Sequence, residues 1–247
     1  MTVASVMENC VRCYLIASTF LSLILVGCAE KPTAQENDPF EPANRTIFDA
    51  NDALDKAVAL PVAQTYVAVV PDFARDGIHN FLANLDSPVT LVNDVLQGEI
   101  DRAGQTLARL TINTTIGVGG LIDVGADLEI PSHTEDFGQT LAVYGFHEGP
   151  YLVLPFFGPS NPRDAVGMGV DLFFDPLTYA TYDDSTFWST LRYVGKVIDT
   201  RSRNIESLET VERSSIDYYA ALRSLYRQER NNEIQNSKPN PQSLPEF

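Results

Sequence analysis

Along most of this chain apolar residues recur at intervals of three and four, in stretches cut short by Pro and Gly. That spacing lines one face of a helix, and it predicts a mainly α protein, a single domain of short amphipathic helices. Pro71 opens one stretch, with Ile78, Phe81, Leu82 and Leu85 as its apolar side. Asp86-Ser87-Pro88 reads as a second start: Ser87 can cap, and Pro88 suits a first-turn position whose N–H has no partner in any case. Val89, Val92, Val95 and Leu96 share a face of that predicted helix, which Gly98 closes. Ile100, Ala103, Leu107 and Leu110 continue the pattern. Asn161-Pro162 marks a further start, with Asn161 capping a helix that reaches toward Phe174. Ile205, Leu208 and Val211 form another amphipathic set, and Tyr219, Leu222 and Tyr226 a last one beyond a break at Ser214-Ser215. No period-two alternation is sustained enough to predict a sheet.

The central third breaks this grammar. Asn113 to Gly125 is Gly-rich and apolar, and Gly149 to Pro159 is a hydrophobic run boxed by Gly and Pro. A long regular helix cannot pass through either. Two readings stand: a packed core loop or short buried strand at Tyr151 to Leu154, or apolar backbone and aromatic surface presented to lipid.

The N-terminus is different again. Tyr14 to Val26 is an almost unbroken apolar run, about 20 Å as a helix and short of the roughly 20 residues that span a bilayer. It reads as the apolar region of a signal peptide, although Arg12 is the only basic residue before it and Met7 is an alternative start. Leu25-Val26-Gly27-Cys28 fits a lipobox, in which small residues admit the peptidase and the thiol takes diacylglycerol. The expected organisation is therefore a signal peptide over 1–27, a lipidated tether over 28–37, a helical domain over 38–230 and a disordered polar tail over 231–247. Cys10 and Cys13 would leave with the leader and Cys28 would carry lipid, so no thiol remains for a disulfide. Ala29 stands where an Asp would retain an enterobacterial lipoprotein in the inner membrane, which favours the outer membrane, lipid-anchored on its periplasmic side.

Charge and chemistry then exclude whole classes. The net charge of −16 rules out nucleic acid as a natural partner and opposes attachment to anionic lipid, so membrane affinity must come from acyl chains and apolar surface. The three histidines, His79, His133 and His147, include no i, i+4 pair for a helical zinc site. There is no G-x-S-x-G elbow, P-loop or dinucleotide fingerprint, and Asp183-Asp184 lacks the alternating oxygen ligands of a calcium loop. No catalytic residue, metal or cofactor is expected beyond the covalent lipid on Cys28.

Ordered blocks between about Asp38 and Arg230 add a family resemblance. They are Asp38-Pro39-Phe40-Glu41-Pro42-Ala43-Asn44-Arg45, Asn80-Phe81-Leu82-Ala83-Asn84-Leu85 and Leu96-Gln97-Gly98, then Asn113 to Gly117 and Gly119 to Asp123. Asp136 to Leu141, Gly149 to Pro155, Gly158-Pro159-Ser160, Arg163-Asp164 and Asp175-Pro176-Leu177 follow, with Arg201 and the Asp217, Tyr219, Arg223, Tyr226, Arg230 pattern at the end. The chain in this respect resembles the MlaA family, also called VacJ, of outer-membrane lipoproteins. The resemblance implies a monotopic helical ring in the inner leaflet of the outer membrane, around an amphipathic channel. It implies removal of phospholipids from the outer leaflet, delivery to a periplasmic carrier of the MlaC type, a trimeric porin as neighbour, and no enzyme activity. Gly117, Gly119 and Gly120, with Pro155, Phe156, Phe157 and Gly158, are the candidate channel or leaflet contacts. A structural envelope lipoprotein without transport is the rival class, and an envelope hydrolase the third.

Overall fold

The computed structural model describes residues 38–179 and 185–236, all within one compact unit that begins at Asp38. Helix accounts for 74% of them, which bears out a mainly α fold. Helix α1 (Glu41–Leu54) runs through a π-helical turn, Asp55–Ala59, into α2 (Leu60–Val69). Pro61 has no N–H to offer the carbonyl four residues back, and the wider turn leads into it. Then come α3 (Asp72–Gln97), α4 (Ile100–Thr115) and the short α5 (Val124–Asp127) and α6 (Phe137–Val143). A hairpin of β1 (Leu152–Leu154) and β2 (Gly158–Ser160) follows, with Leu152 opposite Ser160 and Leu154 opposite Gly158. The chain continues through α7 (Pro162–Phe174), a 3₁₀ turn (Pro176–Thr178), α8 (Ser185–Arg203), α9 (Ile205–Ser214) and α10 (Tyr218–Ile234). No helix among the described residues is long and apolar enough to cross a membrane.

Several boundaries follow from the residues named above, and two need correcting. Asn161 caps α7, its Oδ1 accepting from Asp164 N at 2.9 Å, with Pro162 in the first turn. Gly98 ends α3 at φ 78°, donating to Val95 O at 3.1 Å while Glu99 N reaches Asp94 O at 3.0 Å, the paired bonds that satisfy a helix's last carbonyls. Ser87-Pro88, however, starts nothing: α3 runs straight through Pro88, and Ser87 Oγ donates to Ala83 O at 3.2 Å. A proline inside a helix costs about 3 kcal/mol. Here α3 packs against α4, α6, α7 and α8, and those contacts outweigh the local preference. At the other end α10 continues past Arg230 to Ile234, because Arg230 pairs with Glu233 one turn on. Cys28, Asp183 and Asp184 lie outside the described residues.

What sets this fold apart is which side of each helix is covered. Among the described residues, six hydrophobic side chains are buried, Ala63, Leu82, Ala103, Tyr151, Val153 and Tyr219, against eighteen polar or charged ones. Among the described residues the buried apolar cluster is small: Tyr151, Val153 and Tyr219, with Ile47, Phe48 and Tyr226 packed around them. On α3 the covered residues besides Leu82 are Asn84, Thr90, Asn93 and Asp94, whereas Phe73, Ile78, Phe81, Val95 and Leu96 face outward. The helices are amphipathic as the spacing predicts, but most of them turn the polar stripe inward.

Such an interior must satisfy its own hydrogen bonds, since each unmet buried polar group costs about 1–3 kcal/mol. Asn44 shows how this is done: its Nδ2 donates to Asp38 at 2.7 Å and to Tyr151 O at 2.9 Å, while its Oδ1 accepts from Val153 N at 2.9 Å. One amide thereby ties α1 to β1. At the junction of α6, α7 and α10, Arg230 forks onto Asp136 with two bonds of 2.7 Å and reaches Asp164 at 2.8 Å. Tyr226 and Asn161 also donate to Asp164, at 2.7 and 2.6 Å. Burial pushes the carboxyls of Asp136 and Asp164 up, but Arg230 outweighs it and holds both below the usual range.

A polar cavity among α3, α4 and α8

The inward stripes of α3 and α4 meet α8 at a cavity of about 290 Å³. Helix α3 contributes His79, Asn84, Asp86 and Thr90, and α4 contributes Thr106, Arg109 and Asn113. Helix α8 closes the third side with Lys196, Asp199 and Thr200, and the loop before α6 adds His133. The amide, hydroxyl and ion-pair lining resembles no apolar ligand pocket; it suits a hydrated, charged group.

The charges at the wall are arranged in pairs that differ in firmness. Arg109 Nη2 donates to both oxygens of Asp123, at 2.6 and 2.7 Å, and its Nη1 donates to Ile130 O, so it is held from two sides. Burial raises the Asp123 carboxyl, yet Asn113 and Arg109 outweigh it and keep it below the ordinary range. Lys196 meets Asp86 at 2.6 Å, and Asp86 is also gripped by Arg192 at 2.7 Å, which bonds Asp175 as well. His79 Nδ1 lies 2.7 Å from Asp199, which Arg203 also approaches at 3.3 Å. Lys196 is 56% exposed and His79 48%, so both heads reach solvent.

His133 and Thr106 invite comparison with a hydrolase, and the geometry argues against it. His133 Nε2 faces Asp94 at 3.0 Å and Thr106 Oγ1 at 3.1 Å, while that hydroxyl itself donates to Asp94 at 2.7 Å. A relay needs the carboxylate on one ring nitrogen and the nucleophile on the other. Here both sit on the same nitrogen. Nor is any cluster of His, Cys, Asp or Glu able to hold a metal present among the described residues.

The predicted contact residues fall on two separate supports. Gly117, Gly119 and Gly120 form the turn that ends α4, with Gly119 N donating to Thr114 O and Gly120 N to Asn113 O. Gly117 and Gly120 are buried packing positions, and a Cβ at Gly120 would lie 2.6 Å from Asn84 Cβ. Their neighbours Ile116, Val118, Leu121 and Ile122 are the ones that face outward. Pro155, Phe156, Phe157 and Gly158 make the hairpin turn, held by Asn51, which donates to Leu154 O at 2.9 Å and accepts from Phe156 N at 3.0 Å. Phe156 and Phe157 are 73% and 61% exposed. The run divides in two: Tyr151 and Val153 are buried, as the core reading has it, and the two phenylalanines are exposed.

The cavity residues escaped the sequence reading, which followed apolar faces. A signal for them exists on α3. Asn80, Asn84, Ser87, Thr90, Asn93 and Gln97 recur every three or four positions, and α3 contains no Lys or Glu. An exposed polar face ordinarily carries those long charged side chains; amides and hydroxyls alone mark a polar face that is covered.

A helical domain lined with polar groups within and apolar outside is the class of protein that lives against lipid or against partners that cover it. The comparisons with known proteins narrow that class: the MlaA lipoprotein family matches residues 36–233, and this chain belongs to it. An Escherichia coli K12 protein named intermembrane phospholipid transport system lipoprotein MlaA is 38% identical over 212 residues, 83% of this chain and 82% of that one. An uncharacterised protein of Rickettsia felis is 37% identical over 210 residues, 85% of this chain and 82% of its own length. A solved structure described as the structural basis for maintenance of bacterial outer membrane lipid asymmetry matches with a TM-score of 0.71 at 35% identity, covering 80% of this chain and 98% of the other.

Proposed function

We propose that this lipoprotein removes phospholipids from the outer leaflet of the outer membrane and passes them to a periplasmic carrier of the MlaC type, beside a trimeric porin, without catalysing a reaction. The observation that carries this reading is the inverted fold, with a polar cavity bounded by helices whose apolar faces point away from it. A headgroup crossing hydrocarbon unaided must shed its hydration. A polar wall replaces that hydration while the acyl tails stay against apolar surface. The cavity is the headgroup's station on an amphipathic channel, and Phe156, Phe157 and the exposed residues around Gly119 contact the leaflet. Acyl chains on Cys28 anchor the protein, each buried methylene contributing about 0.8 kcal/mol. Direction comes from partners or lipid gradients, as the chain has no nucleotide fingerprint.

The test is phospholipid exposed on the cell surface of the native host, in wild type, a deletion, and the deletion complemented with wild-type or Cys28→Ser protein. Excess surface phospholipid in the deletion, corrected by wild type and not by Cys28→Ser, is the expected result. Unchanged exposure in the deletion would replace transport with a structural envelope role.

A further inference from the structure

The cations around the cavity differ in how many donors they have left. Arg109, whose side chain is 13% exposed, spends Nη1 on Ile130 O and Nη2 on both oxygens of Asp123. Arg192, 19% exposed, spends its two terminal nitrogens on Asp175, Asp86 and Leu85 O. Lys196 is unlike either. An ammonium carries three N–H donors, and among the described residues only Asp86 takes one from Lys196, at 2.6 Å. Because this side chain is 56% exposed, the other two donors are open to a ligand while the ion pair stays closed. Thr200 stands one helical turn further along α8, at the i+4 position that shares a face with Lys196, and both residues line the cavity and are exposed. Its carbonyl receives Asn204 Nδ2 at 2.8 Å, and its hydroxyl has no partner among the described residues. The surroundings do not repel an anion, although the chain as a whole is acidic. Lys196 and Arg192 face Asp86 and Asp175, two cations against two carboxylates. Asp199, beside Thr200, is buried and held by His79 Nδ1 at 2.7 Å and Arg203 at 3.3 Å.

We propose that Lys196 and Thr200 form the phosphate subsite of the cavity, binding the phosphodiester of a lipid headgroup through the ammonium donors that Asp86 leaves unused and through the Thr200 hydroxyl. A phosphodiester presents two non-bridging oxygens, which suit one ammonium and one hydroxyl set a turn apart. The phosphodiester is common to all phospholipids, so this subsite recognises the class and is indifferent to what the headgroup ends in. The inference rests on the phospholipid reading above and deepens it by naming the residues that hold the phosphate.

The experiment titrates the full-length, lipidated protein in maltoside detergent with dihexanoyl phosphatidylcholine, dihexanoyl phosphatidylethanolamine and inorganic phosphate, read by calorimetry and by the phosphorus resonance of the bound lipid. Lys196→Met is expected to weaken both lipids by the same factor, about ten-fold for a hydrogen bond to a charged donor, and to shift the phosphorus resonance. A role for Lys196 in helix packing alone would leave that resonance where it is. Thr200→Val is expected to weaken both lipids about five-fold, and Lys196→Arg to retain binding, because a guanidinium also donates to phosphate. Both side chains are exposed, so the variants are expected to fold, and either one carries the test without the other. Inorganic phosphate, which has no acyl tails, is expected to bind far more weakly than either lipid; phosphate that binds as tightly as the lipids overturns the headgroup assignment in favour of a free-phosphate site. Lipid affinities and a phosphorus resonance unchanged in Lys196→Met and Thr200→Val, or a loss confined to one of the two lipids, overturn the subsite and leave the transport reading standing. Binding of neither lipid to the wild-type protein overturns both.

Discussion

Two parts of this molecule use the same chemistry, carboxylate against cation, to opposite ends. At the junction of α6, α7 and α10, Arg230 is 8% exposed and shared by Asp136, Asp164 and Glu233. Around the cavity, Lys196 meets one carboxylate and keeps about half of its surface in solvent. A dry pair whose partners are fully committed cannot be separated without stranding a charge, so it fixes helices in place. A wet pair with a spare partner can be exchanged for a ligand at little cost. Burial and the count of partners, more than residue type, separate an ion pair that fixes helices from one that can open.

The largest effect that would test this contrast is expected from Arg230→Met. It leaves the half-buried Asp136 with no cation and the buried Asp164 with Arg163 alone, and a loss of about 3 kcal/mol in unfolding free energy is expected by denaturant titration in detergent. Next comes Gly138→Ala, because a Cβ there would lie 2.6 Å from both Arg230 Nη2 and Asp164 Oδ1. Overpacking of that kind costs about 1–3 kcal/mol, read in the same titration. Smaller still is Lys196→Met, expected to change stability by less than about 1 kcal/mol while weakening lipid binding. Equal destabilisation by Arg230→Met and Lys196→Met would erase the distinction between the two regions.

Acid should resolve the regions further. Asp136 and Asp164 have lowered folded pKa values, so the stability they contribute is present above the unfolded carboxylate value of about 4 and is lost as pH falls through the folded values. Glu135 and Asp171 are raised, by burial first, against the opposing bonds of Gln97 and Asn93. Their charge costs stability above the raised values, and protonation relieves that cost as pH falls through them toward the unfolded one. Stability measured against pH is expected to rise on mild acidification and then to drop below about pH 4. Asp171→Asn should flatten the rise, and a monotonic decline from neutrality would contradict the assignment.

Much of the architecture was legible in spacing and punctuation. Asn161-Pro162 and Gly98 set helix ends because their bonds are local, and the break at Ser214-Ser215 separates α9 from α10 as read. Pro88 misled for the same reason: its local preference is clear, and only packing around α3 overrides it. The direction in which the amphipathic helices face was not legible from apolar positions, since period and amplitude are the same whether the stripe turns inward or outward. The lack of Lys on the polar stripe of α3 was the missing cue. Of the cavity, His79 and His133 were in view as two of the three histidines but set aside. The contacts of His133 with Asp94 and Thr106, and of His79 with Asp199, join residues far apart in sequence, which no local motif encodes.

The central claim, apolar outside and polar within, can be measured directly by spin labels in the lipidated protein reconstituted in phospholipid vesicles. Cysteine occurs only at 10, 13 and 28, so a label placed by Leu172→Cys or Phe157→Cys on the outer surface, or by Thr200→Cys at the cavity, reports one site. Strong relaxation by oxygen and weak relaxation by a water-soluble nickel chelate at 172 and 157, with the reverse at 200, is the predicted result. Equal nickel accessibility at all three would place the apolar surface in water and contradict the account.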